Sequence, residues 1–181
     1  MRERRRSTYT AESSCFIDTG VFFAAYNRND EMHLDGALIL VSSVLGWFGK
    51  VYTSTYVIDE TLTLTKAKMG GADAVRLSED ITSSNKITKL NVDGDETILR
   101  DALAKFKEYS DVRGLSFTDC TTLVLGERLK IGVLLSFDES FKAFVPMLLG
   151  EGYHDSLSEE RRDILTKVAQ RLGIRLKPSS R

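Results

Sequence analysis

Short apolar runs alternate with longer amphipathic segments along this chain, and this alternation constrains the fold more than any other feature. The runs that predict strands cover residues 13–18, 50–54, 86–92 and 133–137, with a short edge strand at 146–149. Helical periodicity predicts helices over residues 21–26, 33–48, 55–69, 72–83, 93–109, 116–130 and 157–172. Alternating strands and helices are typical of a mainly parallel sheet covered by helices, so we predict an α/β sandwich.

Length and composition exclude several other classes of protein. A chain of 181 residues with 42% hydrophobic and 28% charged residues suits one globular domain. Two cysteines are too few for a disulfide framework, and we expect both thiols to be free. The longest uncharged stretch, residues 36–49, is shorter than the roughly 20 residues of a membrane-spanning helix, and no signal-peptide core follows the basic start. We therefore expect a cytoplasmic protein with no membrane association.

The net charge of −1 conceals an uneven distribution along the chain. Residues 1–14 carry four arginines and two glutamates, and residues 151–181 carry seven basic and five acidic residues. The middle segment, 15–150, has 14 basic and 19 acidic residues. An acidic body with basic ends fits a carboxylate cluster that needs a metal ion and tails that contact polyanions. The alternative is that both ends are simply solvated.

Four acidic residues are predicted to meet at one edge of the sheet. Asp18 and Asp138 each follow a strand, and parallel strands end at the same edge. Asp119 lies near the start of a helix of about 12 residues, ~18 Å long, and the following strand returns ~17 Å. Glu60 lies in the second turn of its helix, within ~10 Å of the same edge. We expect these four carboxylates to form one acidic pocket.

Each acid also has a purely structural interpretation. Asp119 could form a capping box with Ser116, Asp18 and Asp138 could cap the helices that follow them, and Glu60 could be exposed. These interpretations do not explain why all four point to one edge. Like charges at close range repel and raise one another's pKa, and a hard divalent cation such as Mg²⁺ or Mn²⁺ would relieve the repulsion.

At these residues the sequence resembles the PIN-domain ribonucleases. The matching pieces are Phe16-Ile17-Asp18-Thr19, Asp59-Glu60, Leu115-Ser116-Phe117-Thr118-Asp119 and Ser136-Phe137-Asp138-Glu139-Ser140-Phe141. The resemblance covers about 15–150, which leaves a basic extension at 1–14 and a C-terminal helical extension at 151–181. It implies a three-layer α/β/α sandwich with about five strands. It also implies acids that hold Mg²⁺ or Mn²⁺ and cleavage of RNA phosphodiester bonds. Many members are toxins held by an antitoxin, often as homodimers, although compact toxins usually lack both extensions.

The four acidic residues determine the chemistry that we expect at this site. A metal ion on Asp18, Asp119 and Asp138 would activate a water and neutralise charge on the phosphate. Glu60 would bind a second metal ion, or hold or deprotonate the water. Thr118 and Ser136 are candidate contacts for a metal ligand or a phosphate, with backbone capping as the alternative. The alternative function is a catalytically inactive scaffold of the same fold that binds RNA or protein.

The helix predicted at 33–49 is apolar over more of its surface than one buried stripe requires. The surplus includes Leu40 and Trp47, which are seven residues apart and so share one face. Either a second subunit or the C-terminal helix at 157–172 must cover it. We expect a homodimer, with coverage by the C-terminal helix as the alternative.

Overall fold

A parallel sheet forms the centre of the molecule. The structure is a computed structural model, and it describes residues 13–174 and residue 176. Within that range five strands pair in the order β3-β2-β1-β4-β5, and every pairing is parallel. The strands are β1 Ser14–Ile17, β2 Lys50–Ser54, β3 Ile87–Leu90, β4 Val133–Leu135 and β5 Leu148–Leu149. The predicted parallel sheet of about five strands is confirmed.

Helices cover both faces of this sheet. In the described residues they are α1 Thr19–Tyr26, α2 His33–Val44, α3 Thr55–Lys68, α4 Gly71–Ser83, α5 Glu96–Glu108, α6 Phe117–Leu129, α7 Tyr153–Ser156 and α8 Glu159–Arg171. Right-handed crossovers place α1 to α4 on one face, because the chain moves outward from β1 to β3 through them. The return from β3 to β4 through α5 and α6 uses the other face, which confirms the three-layer sandwich.

The start of α5 differs from the sequence prediction. The helix predicted over 93–109 begins at Glu96, and its cap is Asp95, whose carboxylate accepts hydrogen bonds from the amides of Thr97 and Ile98. Asp93 lies in the turn between Val92 and Asp95, where the Asp95 amide donates to the Val92 carbonyl. Both acids are good capping residues, and the turn places Asp95, two residues later, at the cap position.

The C-terminal segment covers the apolar face of α2. The Tyr153 ring packs 6.0 Å from that of Phe48, and its hydroxyl donates to Ser42 Oγ at 2.8 Å. The Arg161 guanidinium of α8 lies 5.3 Å from the centre of the Trp47 ring, and Leu40 is buried. The apolar surplus of α2 therefore needs no second subunit, and the argument that favoured a homodimer no longer supports it. The homodimer itself stays a prediction.

A buried carboxylate fastens α7 to α2. Asp35, in the first turn of α2, accepts hydrogen bonds from the amides of Gly152 at 2.8 Å and His154 at 2.7 Å. The His154 Nδ1 atom lies 3.2 Å from the same carboxylate. These hydrogen bonds join residues more than a hundred positions apart and hold the start of α7 against the start of α2.

Helix α2 is a core element. Ten of its 12 residues are buried. At Gly36 a β-carbon would lie 2.9 Å from the Ala24 β-carbon, so a glycine is what lets α1 and α2 approach closely. Cys15 and Cys120 are free and buried, as expected. Within residues 13–174 and 176, no helix has both the length and the apolar character needed to cross a bilayer.

Candidate active site

The carboxyl edge of the sheet carries the four predicted acids. Asp18 follows β1 directly, and its amide donates to the Leu135 carbonyl at 3.0 Å, which ties the ends of β1 and β4 together. Asp138 lies three residues beyond β4. Asp119 is in the first turn of α6, and Glu60 is in the second turn of α3. All four acids therefore belong to elements that end or begin at this edge of the sheet, and their joint function as one acidic pocket stays a prediction.

Ser136 links two of the acids. Its hydroxyl donates to Asp18 Oδ2 at 2.7 Å and accepts from the Asp138 amide at 3.0 Å. The residue is 1% exposed, and a β-carbon at Gly150 would lie 2.1 Å from its carbonyl oxygen. The one hydroxyl proton is already donated, so Ser136 positions Asp18 and has no donor left for a phosphate. In this arrangement the backbone contact named as the alternative is present, and a contact of Ser136 with substrate stays a prediction.

Thr19 orients Glu60. The Thr19 hydroxyl donates to Glu60 Oε2 at 2.7 Å, and Glu60 itself is half-buried. Sequence reasoning missed Thr19, although it directly follows Asp18 and therefore had to lie at the same edge. Asp18 therefore contributes its own carboxylate at this edge, and its neighbour Thr19 holds the carboxylate of Glu60.

Asp119 and Asp138 do cap helices, as their structural interpretation proposed. The Ser116 amide donates to Asp119 Oδ2 at 2.6 Å and the Asp119 amide donates to Ser116 Oγ, which completes a capping box. Asp138 Oδ1 accepts from the Ser140 amide at 2.8 Å. Each bond occupies one oxygen of its carboxylate, so capping and membership of the cluster are compatible. Thr118 is half-buried, and its carbonyl accepts from the Thr121 hydroxyl at 2.6 Å.

The four carboxylates influence one another electrostatically. Burial raises the pKa of Asp18 to about 7; the Ser136 hydrogen bond opposes the rise, and the charges of Asp119 and Glu60 add to it. Burial also raises the pKa of Asp119, again with contributions from neighbouring acids, here Asp138 and Glu60. Concentrated negative charge of this kind is the electrostatic signature of a functional site.

The cluster fits a divalent cation in charge and in donor type. Asp18 Oδ1 is buried and has no hydrogen-bond partner among residues 13–174 and 176, so this oxygen is free to bind a cation. In the orientations described, no three His, Cys, Asp or Glu side chains of those residues stand close enough together to hold a metal ion. One carboxylate oxygen of each of Glu60, Asp119 and Asp138 accepts a hydrogen bond from a neighbouring donor. Binding of an ion would therefore require these side chains to reorient.

Comparisons with known proteins agree with this geometry. The family model of the PIN domain matches residues 15–145. A VapC ribonuclease from Archaeoglobus fulgidus is 34% identical over 161 residues, which is 89% of this chain and 98% of that protein. The crystal structure of VapC20 from Mycobacterium tuberculosis, described as a sarcin-ricin loop cleaving toxin, matches with a TM-score of 0.64 and 26% identity. That match covers 73% of this chain and 97% of VapC20.

The match to the archaeal protein also bears on the extensions. Its 161 aligned residues exceed the segment 15–145, and they span nearly all of the relative. We expected compact toxins to lack both extensions. This relative does not lack both, because its length is close to that of the present chain.

Proposed function

We propose, on the premise that this chain belongs to the PIN-domain family, that it is an endoribonuclease that hydrolyses RNA phosphodiester bonds with Mg²⁺ or Mn²⁺. The observation that carries the proposal is the buried, unpartnered oxygen of Asp18 among three further carboxylates. A ribonuclease built on such acids needs no nucleophilic side chain, because water attacks the phosphate.

In this proposal Asp18, Asp119, Asp138 and Glu60 hold the cation. A bound Mg²⁺ or Mn²⁺ supplies a water of lowered pKa and neutralises charge on the phosphate. Ser136 fixes the orientation of Asp18, and Thr19 fixes that of Glu60. Burial disfavours the ionised form of Asp18, and a cation held by this carboxylate would favour it.

The relatives support a role as the toxin of a toxin–antitoxin pair. One is named a VapC ribonuclease, and VapC20 is described as a toxin. We propose RNA as the substrate, an antitoxin protein as the partner and the cytoplasm as the location. A homodimer, expected from the sequence, also belongs to this proposal.

A cleavage assay on mixed RNA tests the activity. Wild-type protein is incubated with Mg²⁺, Mn²⁺ or EDTA, beside Asp18→Asn and the matched control Asp59→Asn, whose acid is exposed and adjacent to Glu60. We expect cleavage only with a divalent ion, and a loss of about 100-fold or more in Asp18→Asn with little change in Asp59→Asn, since removal of a charge-stabilising group costs about that much.

Two results would contradict the proposal in different ways. Undiminished cleavage in EDTA would exclude the metal mechanism. RNA binding without cleavage under any metal condition would favour the inactive scaffold.

A further inference from the structure

Three aromatic side chains form a cluster beside the acids, and the site described so far does not use them. Tyr56 lies one helical turn before Glu60 on α3, and Phe117 lies two residues before Asp119 on α6. Their ring centres are 6.1 Å apart. Phe106, near the end of α5, meets the Phe117 ring edge-on with centres 5.9 Å apart. The cluster therefore lies at the carboxyl edge of the sheet, where α3, α5 and α6 meet.

The cluster is open to solvent on one side. Phe106 is 45% exposed, and Tyr56 and Phe117 are half-buried. Phe117 packs between the other two rings, so it is held in place from both sides. Phe106 packs against this fixed ring and stays largely accessible, and a ring that is supported on one side and exposed on another is a suitable surface for stacking.

We propose that the cluster Tyr56–Phe106–Phe117 binds an unpaired base of the RNA beside the phosphate that is cleaved, with Phe106 as the stacking surface. The inference rests on the proposed ribonuclease function and assigns it a base-binding subsite. Proteins recognise single-stranded RNA largely by stacking splayed-out bases on aromatic side chains. The exposed Lys107 adjoins Phe106 in the chain and supplies positive charge for the RNA backbone.

The position of the cluster favours a nucleobase over a protein partner. Tyr56 shares the face of α3 that carries Glu60, one turn away, and Phe117 lies in the first turn of α6 with Asp119, so the cluster is at the same edge of the sheet as the acids. The other exposed apolar side chains of α5, Leu103 and Leu99, lie one and two turns further toward its N-terminus. A protein partner or a second copy of the chain would engage those leucines as well as Phe106, whereas a base would engage the ring alone.

A binding experiment tests the ring directly. Single-stranded RNA that carries 2-aminopurine is titrated with Asp18→Asn protein, which is expected to bind without cleaving, and fluorescence quenching reports stacking. In this background we compare Phe106→Leu, Phe106→Tyr and the control Leu99→Ala. Stacking of one base is worth roughly 5- to 150-fold in affinity, so we expect Phe106→Leu to weaken binding at least about fivefold and to abolish quenching. Phe106→Tyr and Leu99→Ala should bind like the parent.

A kinetic comparison in the active protein separates the subsite from the chemistry. Phe106→Leu should raise KM on single-stranded RNA by at least about fivefold while kcat changes little, because the ring contributes binding and no reacting group. Equal affinity and quenching for Phe106→Leu and the parent would overturn the inference while leaving cleavage by the wild type intact. A change of sedimentation state in Phe106→Leu with unchanged RNA affinity would also overturn it, in favour of a second copy at this face. Absence of both binding and cleavage in the wild type would instead contradict the proposed function.

Discussion

At the scale of single residues, Asp18 combines burial, negative neighbours and one unpartnered oxygen. Its pKa of about 7 lies above the ordinary value of roughly 3.9 for an aspartate. Between about pH 4 and pH 7 the folded protein therefore holds a proton that the unfolded chain has released. The free energy of unfolding falls as the pH rises through this range, and above it the ionised Asp18 destabilises the metal-free fold.

We predict that Asp18→Asn stabilises the metal-free protein at about pH 8 and changes its stability little at about pH 4. The amide keeps an acceptor for the Ser136 hydroxyl and removes the buried charge. Thermal unfolding in EDTA at both pH values measures this, and the expected gain at the higher pH is a few degrees in Tm.

Asp59→Asn is the matched control, because Asp59 is exposed and its charge should not oppose folding. Equal Tm values for Asp18→Asn and the wild type across the whole pH range would show that ionised Asp18 does not destabilise the metal-free protein. A divalent ion added at about pH 8 should raise the Tm of the wild type more than that of Asp18→Asn.

At the scale of helices and strands, the contact between Asp35 and α7 is the most consequential. Asp35 is buried in the first turn of α2 and accepts from two backbone amides at the start of α7. We predict that Asp35→Ala destabilises the protein by about 1–3 kcal/mol, because it leaves these amides without an acceptor. Denaturant titration measures the loss, and hydrogen exchange should quicken in α7 and α8 before it does in β1.

Asp155→Ala serves as the comparison for this prediction. The Asp155 side chain is 74% exposed and lies 3.1 Å from the outer nitrogen of His154. We expect its removal to change stability by no more than about 0.5 kcal/mol. Equal effects of the two substitutions would mean that Asp35 does not hold α7 in place.

Some of these features could be predicted from the sequence and others could not. Asp18 and Asp138 could be placed because each follows an apolar run, and parallel strands share an edge whatever their order. The α7 helix could not be predicted, since it has four residues and its first amides are satisfied by a carboxylate 117 positions away. The hydrogen bond between Thr19 and Glu60 was equally hidden, because it spans 41 positions and depends on how β1 and α3 lie relative to each other.

At the scale of the whole molecule, the C-terminal segment is part of the core. Tyr153, Leu157, Leu165 and Ala169 are buried in the same apolar cluster as the sheet. We predict that a chain ending at residue 150 exposes Leu40 of α2 and Phe48 of the turn that follows it, and aggregates or loses several degrees of Tm. Sedimentation and thermal unfolding measure both effects.

A chain ending at residue 176 is the control for this truncation, since it retains α7, α8 and Leu176, which packs on the core. It should match the full-length protein in both measurements. A monomeric chain of residues 1–150 with unchanged Tm would show that the domain folds without its C-terminal segment, as the proposed division at residue 150 would allow.

The hydroxyl of Ser136 has an evolutionary consequence. It joins the carboxylate of Asp18 to the backbone of Asp138, so the fitness effect of a substitution at any of these positions depends on the state of the others. Loss of Ser136 is costly while Asp18 must be held in one orientation, and it costs less once Asp18 has been replaced, when only the bond from the Asp138 amide is lost. A lineage that abandons the chemistry should therefore lose the acid first and the serine afterwards, and a lineage that keeps the chemistry should inherit them together.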